Sequence, residues 1–422
     1  MPPYVPVEIV DNVIGHLHDH TRSLMSASTV AKAWLPSCRS HLFDCITIID
    51  DREGLEYIRY METTPDLSFH VRQICLEFRE DVDVEVIARV LKCLGRLQVI
   101  NIEGEVSKIT SGTAPFPLSH LDFLGVHVQP GFEPEDTPSE GIFNLLLLFS
   151  LWHIEELLVT FSQGAPMYAQ NIDRFLDMQP STMHVKALAV VLDPGNGLIY
   201  KFFQHLLDLS SIITITIRSL RRSILLGTAF LDLLVASPNL ANLRIDSGFE
   251  IPQENATLAL SKCLALRSLQ LDFEVRSGTR WDDWDSFSTT YFLNWGSTKR
   301  ILEVGLSHLT NISIIFPEPE EYSPSTLYTA LQDSTKWRGL EDCIEHSYPN
   351  LETLNIQYHW HYTDPDEDEF SDADVEEYFR TQLARADSRG LLRIGRPDLL
   401  CNNIPIRKRR HYGFPSALNR LL

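Results

Sequence analysis

One short pattern, apolar-x-x-apolar-x-apolar, recurs along almost the whole of this 422-residue chain. It stands at Phe43/Ile46/Ile48, Val71/Ile74/Leu76, Leu97/Ile100/Ile102, Leu121/Leu124/Val126, Ile154/Leu157/Val159 and Val185/Leu188/Val190. It continues at Ile212/Ile215/Ile217, Leu240/Leu243/Ile245, Leu266/Leu269/Leu271, Leu309/Ile312/Ile314 and Leu351/Leu354/Ile356. Successive units start 24 to 33 residues apart, except the last two, which follow after 43 and 42. One match would carry no weight. Eleven at a quasi-regular pitch mark a stack of similar units. The last two apolar residues of each unit alternate like one face of a strand. The stretches between units have room for one helix each. Val84, Ile87, Leu91 and Leu94 make one helical stripe, and Phe230, Leu231, Leu234 and Val235 make another. Strand, helix and strand with one hand build a parallel sheet. The expected fold is therefore an α/β solenoid over 49–400, its parallel sheet on the concave side and its helices outside.

The first 48 residues read differently. Pro6 suits the first turn of a helix, where its missing N–H has no partner to lose. After it, Val10, Val13, Ile14 and Leu17 form one apolar stripe. Thr21 is the expected N-cap of a second helix, whose stripe is Leu24, Ala27, Ala31, Trp34 and Leu35. Pro36 interrupts that pattern, and Ser37 to Phe43 form a third short helix. A unit this small buries little surface, so it leans on the rest of the chain, on a partner, or on both.

The segment Val5-Pro6-Val7-Glu8-Ile9, then Ile14, Leu17, Leu24, Ser28, Val30, Trp34 and His41-Leu42-Phe43, resembles an F-box, most closely those of fungal F-box proteins. Val5 stands where that family usually has Leu. The resemblance implies docking to a Skp-family adaptor, and through it to a cullin ubiquitin ligase. The adaptor-contacting residues it implies are Pro6, Ile9, Ile14, Leu17, Leu24, Val30 and Trp34. The repeats are similar to the leucine-rich repeats of the same proteins. That family places Asn or Cys eight residues after the first Leu, whereas residues such as Arg79, Glu105, Asp193 and His359 stand there here. The repeats are thus irregular. What the resemblance implies is a non-catalytic substrate receptor. The alternative is a protein-interaction scaffold unrelated to ubiquitin, in which the helical module is mainly a structural cap.

Hydrophobic residues make up 44% and charged residues 22%, enough apolar material for a sizeable core. The formal charge of −21 repels nucleic acid and anionic lipid, so neither is an expected partner. The most apolar run, Ile142 to Trp152, is far short of the roughly 20 residues that span a bilayer. Met1 to Tyr4 shows no secretory leader. Seven cysteines without a CxxC suit reduced, mostly buried thiols in the cytoplasm or nucleus, not a disulfide framework or a zinc site. No nucleophile, P-loop, dinucleotide or metalloprotease motif occurs, so no catalytic residue, cofactor or metal is expected. His16/His18/His20 and His359/His361 read as solvated turns.

The organisation expected is an F-box over 1–48, an array over 49–400 and a basic tail over 401–422 holding Arg407 to Arg410. The array carries an insert at about 274–308 and an acidic run at 364–377. The insert's Trp281, Trp284, Tyr291, Phe292 and Trp295 fit a loop or helix packed over the array. The acidic run fits a solvated loop or helix start. In each strand, residues between and beside the inward apolars face the concave side. The binding candidates there are Asn242, Arg244, Asp246, Gln270, Asp272, Asn355 and Gln357, a mixed polar surface suited to a protein substrate. Arg244 and Asp272 stand on neighbouring strands, close enough to bridge.

Overall fold

The computed structural model describes residues 6–17, 20–49, 51–78, 84–105, 120–129, 145–161, 182–192, 199–219, 224–225, 228–245, 249–250, 253–272, 275–283, 286–293, 301–316, 334–358 and 372–395. Val5, His18, Asp246, Trp284, Trp295, His359 to His361, 364–371 of the acidic run and the 401–422 tail lie outside them. The chain forms two compact units. The first takes in the described residues up to 185 with 205–207, and the second 186–204 with 208–395.

The first unit opens with three short helices, α1 (Val7–Gly15), α2 (Thr21–Val30) and α3 (Leu35–Leu42). Pro6 is the N-cap of α1, and its carbonyl accepts from the N–H groups of Ile9 and Val10. Two local expectations differ. His20, not Thr21, is the N-cap of α2, with no side-chain cap bond. Pro36 does not break a helix but sits in the first turn of α3, after a short 3₁₀ turn at Lys32–Trp34. The missing N–H of a proline costs nothing there. Ala31, in extended conformation, is what ends α2.

Next come α4 (Asp51–Thr63), α5 (Pro65–Ser68) and α6 (Val84–Lys92). Strands β1 (Cys45–Ile48), β2 (Gln73–Phe78), β3 (Val99–Glu105), β4 (His120–Gln129) and β5 (His153–Phe161) lie side by side in chain order, all parallel. The periodic apolar residues pair in register, Ile74 with Ile100, Leu124 and Leu157 in turn. All four are buried, as are Ile87, Leu91 and Leu94 from the expected stripe of α6.

The second unit repeats this plan. Strands β6 (His184–Leu192, of which 186–192 belong here), β7 (Thr214–Ser219), β9 (Asn242–Ile245), β11 (Ser268–Asp272), β14 (Asn311–Phe316), β15 (Thr353–Tyr358) and β16 (Leu392–Gly395) are parallel and in chain order. Helices α7 (Ile199–Leu206, of which 199–204 belong here), α8 (Thr228–Val235), α9 (Gln253–Lys262), α10 (Ser334–Ser347), α11 (Asp372–Gln382) and α12 (Ala384–Ser388) stand between them in the chain. In α8 the buried set is Phe230, Leu231, Leu233 and Leu234, and Val235 is exposed. Two successive pairs of buried residues flank Asp232, so the helix is covered over a wider arc than one stripe.

Every one of the eleven repeated patterns falls on a strand of these two sets. A twelfth strand, β16, has the terminal pair Leu392/Ile394 but Arg389 in the slot of the first apolar residue. A recurring bond fixes the pitch. The carbonyl of the residue after the first apolar accepts from two successive N–H groups of the next unit. Arg72 accepts from Gln98 and Val99, Ala241 from Arg267 and Ser268, and Thr310 from Glu352 and Thr353.

Polar side chains add to this at another slot. Asn239 and Asn350, each just before a first apolar residue, donate to the carbonyls of Ser210 and Ser307, both at 2.7 Å. The acceptors occupy equivalent positions in the preceding units. Asparagine thus ties neighbouring units together, but one residue ahead of the pattern rather than eight residues into it.

The insert holds neither a bare loop nor a helix over 275–283 and 286–293. It forms an antiparallel hairpin, β12 (Val275–Asp283) with β13 (Ser286–Leu293), in which Trp281 is registered with Phe287. Residues of this kind, β-branched or aromatic, suit a pleated ladder. A small parallel pair, β8 (Ile224–Leu225) with β10 (Phe249–Glu250), completes the second unit. The last acids of the acidic run begin α11, where the positive end of the helix dipole favours them.

Candidate functional site

Two surfaces carry the residues singled out in the sequence. The first is the helical bundle. Val10, Ile14, Leu24, Ala27 and Cys38 form its core, with Leu17, Trp34 and Leu42 packed against it. Ile14 is fully buried and Leu24 nearly so. These two, with Leu17 and Trp34, hold the bundle together. Ile9 and Val30 do the opposite, at 55% and 66% exposed, and Pro6 is exposed beside them in sequence. Val13, also exposed, was not among the expected contacts. It lies seven residues after Pro6 and four after Ile9, so the three share one side of α1. That side adjoins the buried Val10 and Ile14 and the half-buried Leu17. The Ser37 hydroxyl donates to the Asp11 carboxylate and ties α3 to α1.

Burying a large aliphatic side chain stabilises by about 1.5–3 kcal/mol. The bundle leaves that gain unrealised at Ile9, Val13 and Val30. The signal for Val13 was present in its spacing, but the same spacing also fitted the core stripe.

The second surface is the uncovered face of the parallel strands in the second unit. Register places Thr214, Asn242, Ser268, Asn311 and Thr353 in one row across β7, β9, β11, β14 and β15. The next row holds Thr216, Arg244, Gln270, Ser313, Asn355 and Arg393. Sequence reasoning missed Thr216, Ser313 and Arg393. Their signal is the shared slot between the last two apolar residues of each unit.

Much of this polar surface is already engaged. Arg244 Nη2 and Nε donate to Asp272 Oδ2 at 2.7 and 3.3 Å. With its amide oxygen turned toward the guanidinium, Gln270 accepts from Arg244 Nε at 2.8 Å and Nη1 at 3.1 Å. The ion pair is not an exposed one, since the Arg244 and Asp272 side chains retain only 21% and 9% of their exposure. Asn242 donates to Thr214 Oγ1 at 3.2 Å, and Asn355 to Ser313 Oγ at 3.1 Å. Gln357 is buried, and Asn242 is the exposed one among the described members of the set. The structure therefore brings the described candidates onto one face. It leaves Asn242, Arg244, Gln270 and Asn355 within reach of a partner.

Among the described residues, no group of three or more His, Cys, Asp or Glu is placed to hold a metal ion. No helix there is long and apolar enough to cross a membrane. Of the six described cysteines, Cys38 and Cys263 are buried and four are half-buried, fewer fully buried thiols than expected. Burial pushes the Cys45 and Cys263 thiols up to about 11, away from reactive thiolate. No family model matches the chain, and no curated protein matches it.

Proposed function

We propose that this protein is a non-catalytic substrate receptor of a Skp–cullin–F-box type ubiquitin ligase, working in the cytoplasm or nucleus. The helical bundle docks the adaptor, and the repeat array, read as an irregular leucine-rich-repeat solenoid, holds a protein substrate. One observation carries the reading. The bundle has a core of its own, yet its F-box-like residues Pro6, Ile9 and Val30 stand exposed on it, with Val13 alongside. An exposed apolar surface of this kind is what an adaptor-docking module requires.

A cap reading also has an observation in its favour. The end of α3 meets the turns before β2 and β3, where Ser40, His41, Asp44, Phe69, His70, Arg72 and Arg96 surround one cleft. Affinity purification of the full chain, scored for adaptor and cullin, separates the two. Ile9→Asp with Val30→Asp is the variant to compare. Both residues are exposed, so the fold and melting temperature are retained. Adaptor capture is expected to drop at least tenfold, as for the loss of about 1.4 kcal/mol or more of contact. Undiminished capture, or no adaptor with the wild type, rules the reading out. Trp34→Ala is the poorer test because Trp34 packs on the core.

A further inference from the structure

We propose that the cleft of about 290 Å³ beside α3 is a binding site for a phosphate monoester. All its walls come from the first unit. Ser40, His41 and Asp44 line it from the end of α3 and the turn into β1. Phe69, His70 and Arg72 come from the turn into β2, and Arg96 from the turn into β3. The chain as a whole carries −21 charges, yet two arginines and two histidines converge here against a single carboxylate.

That carboxylate does not use up the site. Asp44 lies 3.8 Å from Arg72 Nε, and the two side chains are 36% and 60% exposed. An exposed pair of that length holds weakly. Among the described residues Arg96 has no acidic partner. Its guanidinium lies over the Phe69 ring, 5.6 Å from the centroid. A guanidinium stacked on a ring keeps its N–H donors in its own plane, the geometry that grips two oxygens at once. The two imidazoles supply further donors, while the Ser40 hydroxyl already donates to the Ser37 carbonyl at 3.0 Å.

The number of donors favours phosphate over carboxylate. Two guanidiniums and two imidazoles outnumber the acceptors of one carboxylate, whereas a phosphate monoester brings three acceptor oxygens sharing nearly two negative charges. The cleft exceeds the volume of a phosphate alone, and the half-exposed Phe69 ring offers an apolar wall to the organic part. The long-range field of so acidic a chain repels anions, so capture must come from these short contacts.

The test is calorimetric titration of the full chain at constant ionic strength with inorganic phosphate, O-phosphoserine, a phosphoserine peptide and acetate. Phosphate and O-phosphoserine are expected to bind and acetate not to. Arg96→Ala is expected to weaken binding by about tenfold or more, the worth of a charged hydrogen bond, without moving the melting temperature, because Arg96 is exposed. Arg72→Gln is the second variant, with the same expectation. A peptide bound much more tightly than O-phosphoserine identifies a phosphorylated protein as the source, and equal affinity identifies a small metabolite. The proposal fails if phosphate gives no binding heat, if acetate binds equally well, or if both arginine variants bind phosphate as the wild type does.

Discussion

At the scale of single residues, burial decides what a charge does. Arg244 and Asp272 form a largely enclosed pair, so removing one partner strands the other in a poorly solvated place. Arg244→Ala is expected to cost roughly 3 kcal/mol in chemical denaturation. The double change Arg244→Met with Asp272→Leu is expected to recover most of that loss, because no charge is left buried. The sequence spacing correctly brought the two side chains within reach. It could not show that Gln270 and the neighbouring strands would exclude solvent from them. Glu156 gives a second residue-scale prediction. Burial pushes its carboxyl above the usual carboxylate range. The folded chain therefore binds this proton more tightly than the unfolded chain, and stability falls as pH rises through the raised value. Glu156→Gln is expected to raise the melting temperature at pH 7. The advantage is expected to vanish below about pH 4, where the carboxyl is protonated in both states. A melting curve at each pH checks it.

At the scale of elements, the end of the second unit shows how helices without a repeat pattern are secured. Phe316 of β14, Trp337 of α10 and Phe379 of α11 form a buried aromatic triad, with the Trp337 and Phe379 rings edge-to-face at 5.3 Å. Arg385 of α12 then clamps α10. Its backbone N–H donates to Glu341 Oε1 at 2.5 Å and its Nε to Oε2 at 2.9 Å, while Nη1 reaches Glu345 at 2.6 Å and Nη2 reaches Asp342. These contacts hold the Asp342 carboxyl below its usual range. Glu341 is buried, but Arg385 is half-exposed, and the backbone bonds to Glu341 survive its loss. Arg385→Ala is therefore expected to lower the melting temperature, but by less than breaking a fully enclosed pair would. Local loosening of α12 would be read by hydrogen exchange. The acidic residues that begin α11 were legible as a helix start. The clamp was not, because its partners stand forty or more residues apart.

At the scale of the whole molecule, the division between the two compact units falls inside β6, between Val185 and Lys186. A fragment ending at residue 185 keeps two of the nine residues of that strand. It is expected to aggregate or to lose cooperative melting, since an incomplete strand leaves unpaired backbone groups. A well-behaved, sharply melting 6–185 fragment, measured by circular dichroism and sedimentation, would overturn this.

The amino-acid sequence by itself determined where strands form and which side chains they bury. A period-two apolar pair after a fixed offset is a local property, and eleven such pairs became eleven strands, parallel within each unit. It also determined the helical character of the first 48 residues, through apolar spacing and the position of Pro6. Only tertiary structure decided which apolar residues of that bundle are spent on its core and which are left outward. Ile9 and Ile14 look alike in sequence, yet one is exposed and the other fully buried. It also decided that Arg72 and Arg96 meet Phe69 and His41 in one cleft, and that Arg244 and Asp272 close on each other. β16 and the hairpin of the insert belong with these. Arg389 interrupts the repeat in the first, and in the second the ladder partner, not the local pattern, selects strand over helix. The physical reason is the same throughout. Alternation is set by backbone geometry over a few residues, whereas exposure, pairing and clefts are set by what the chain brings alongside from far away in sequence.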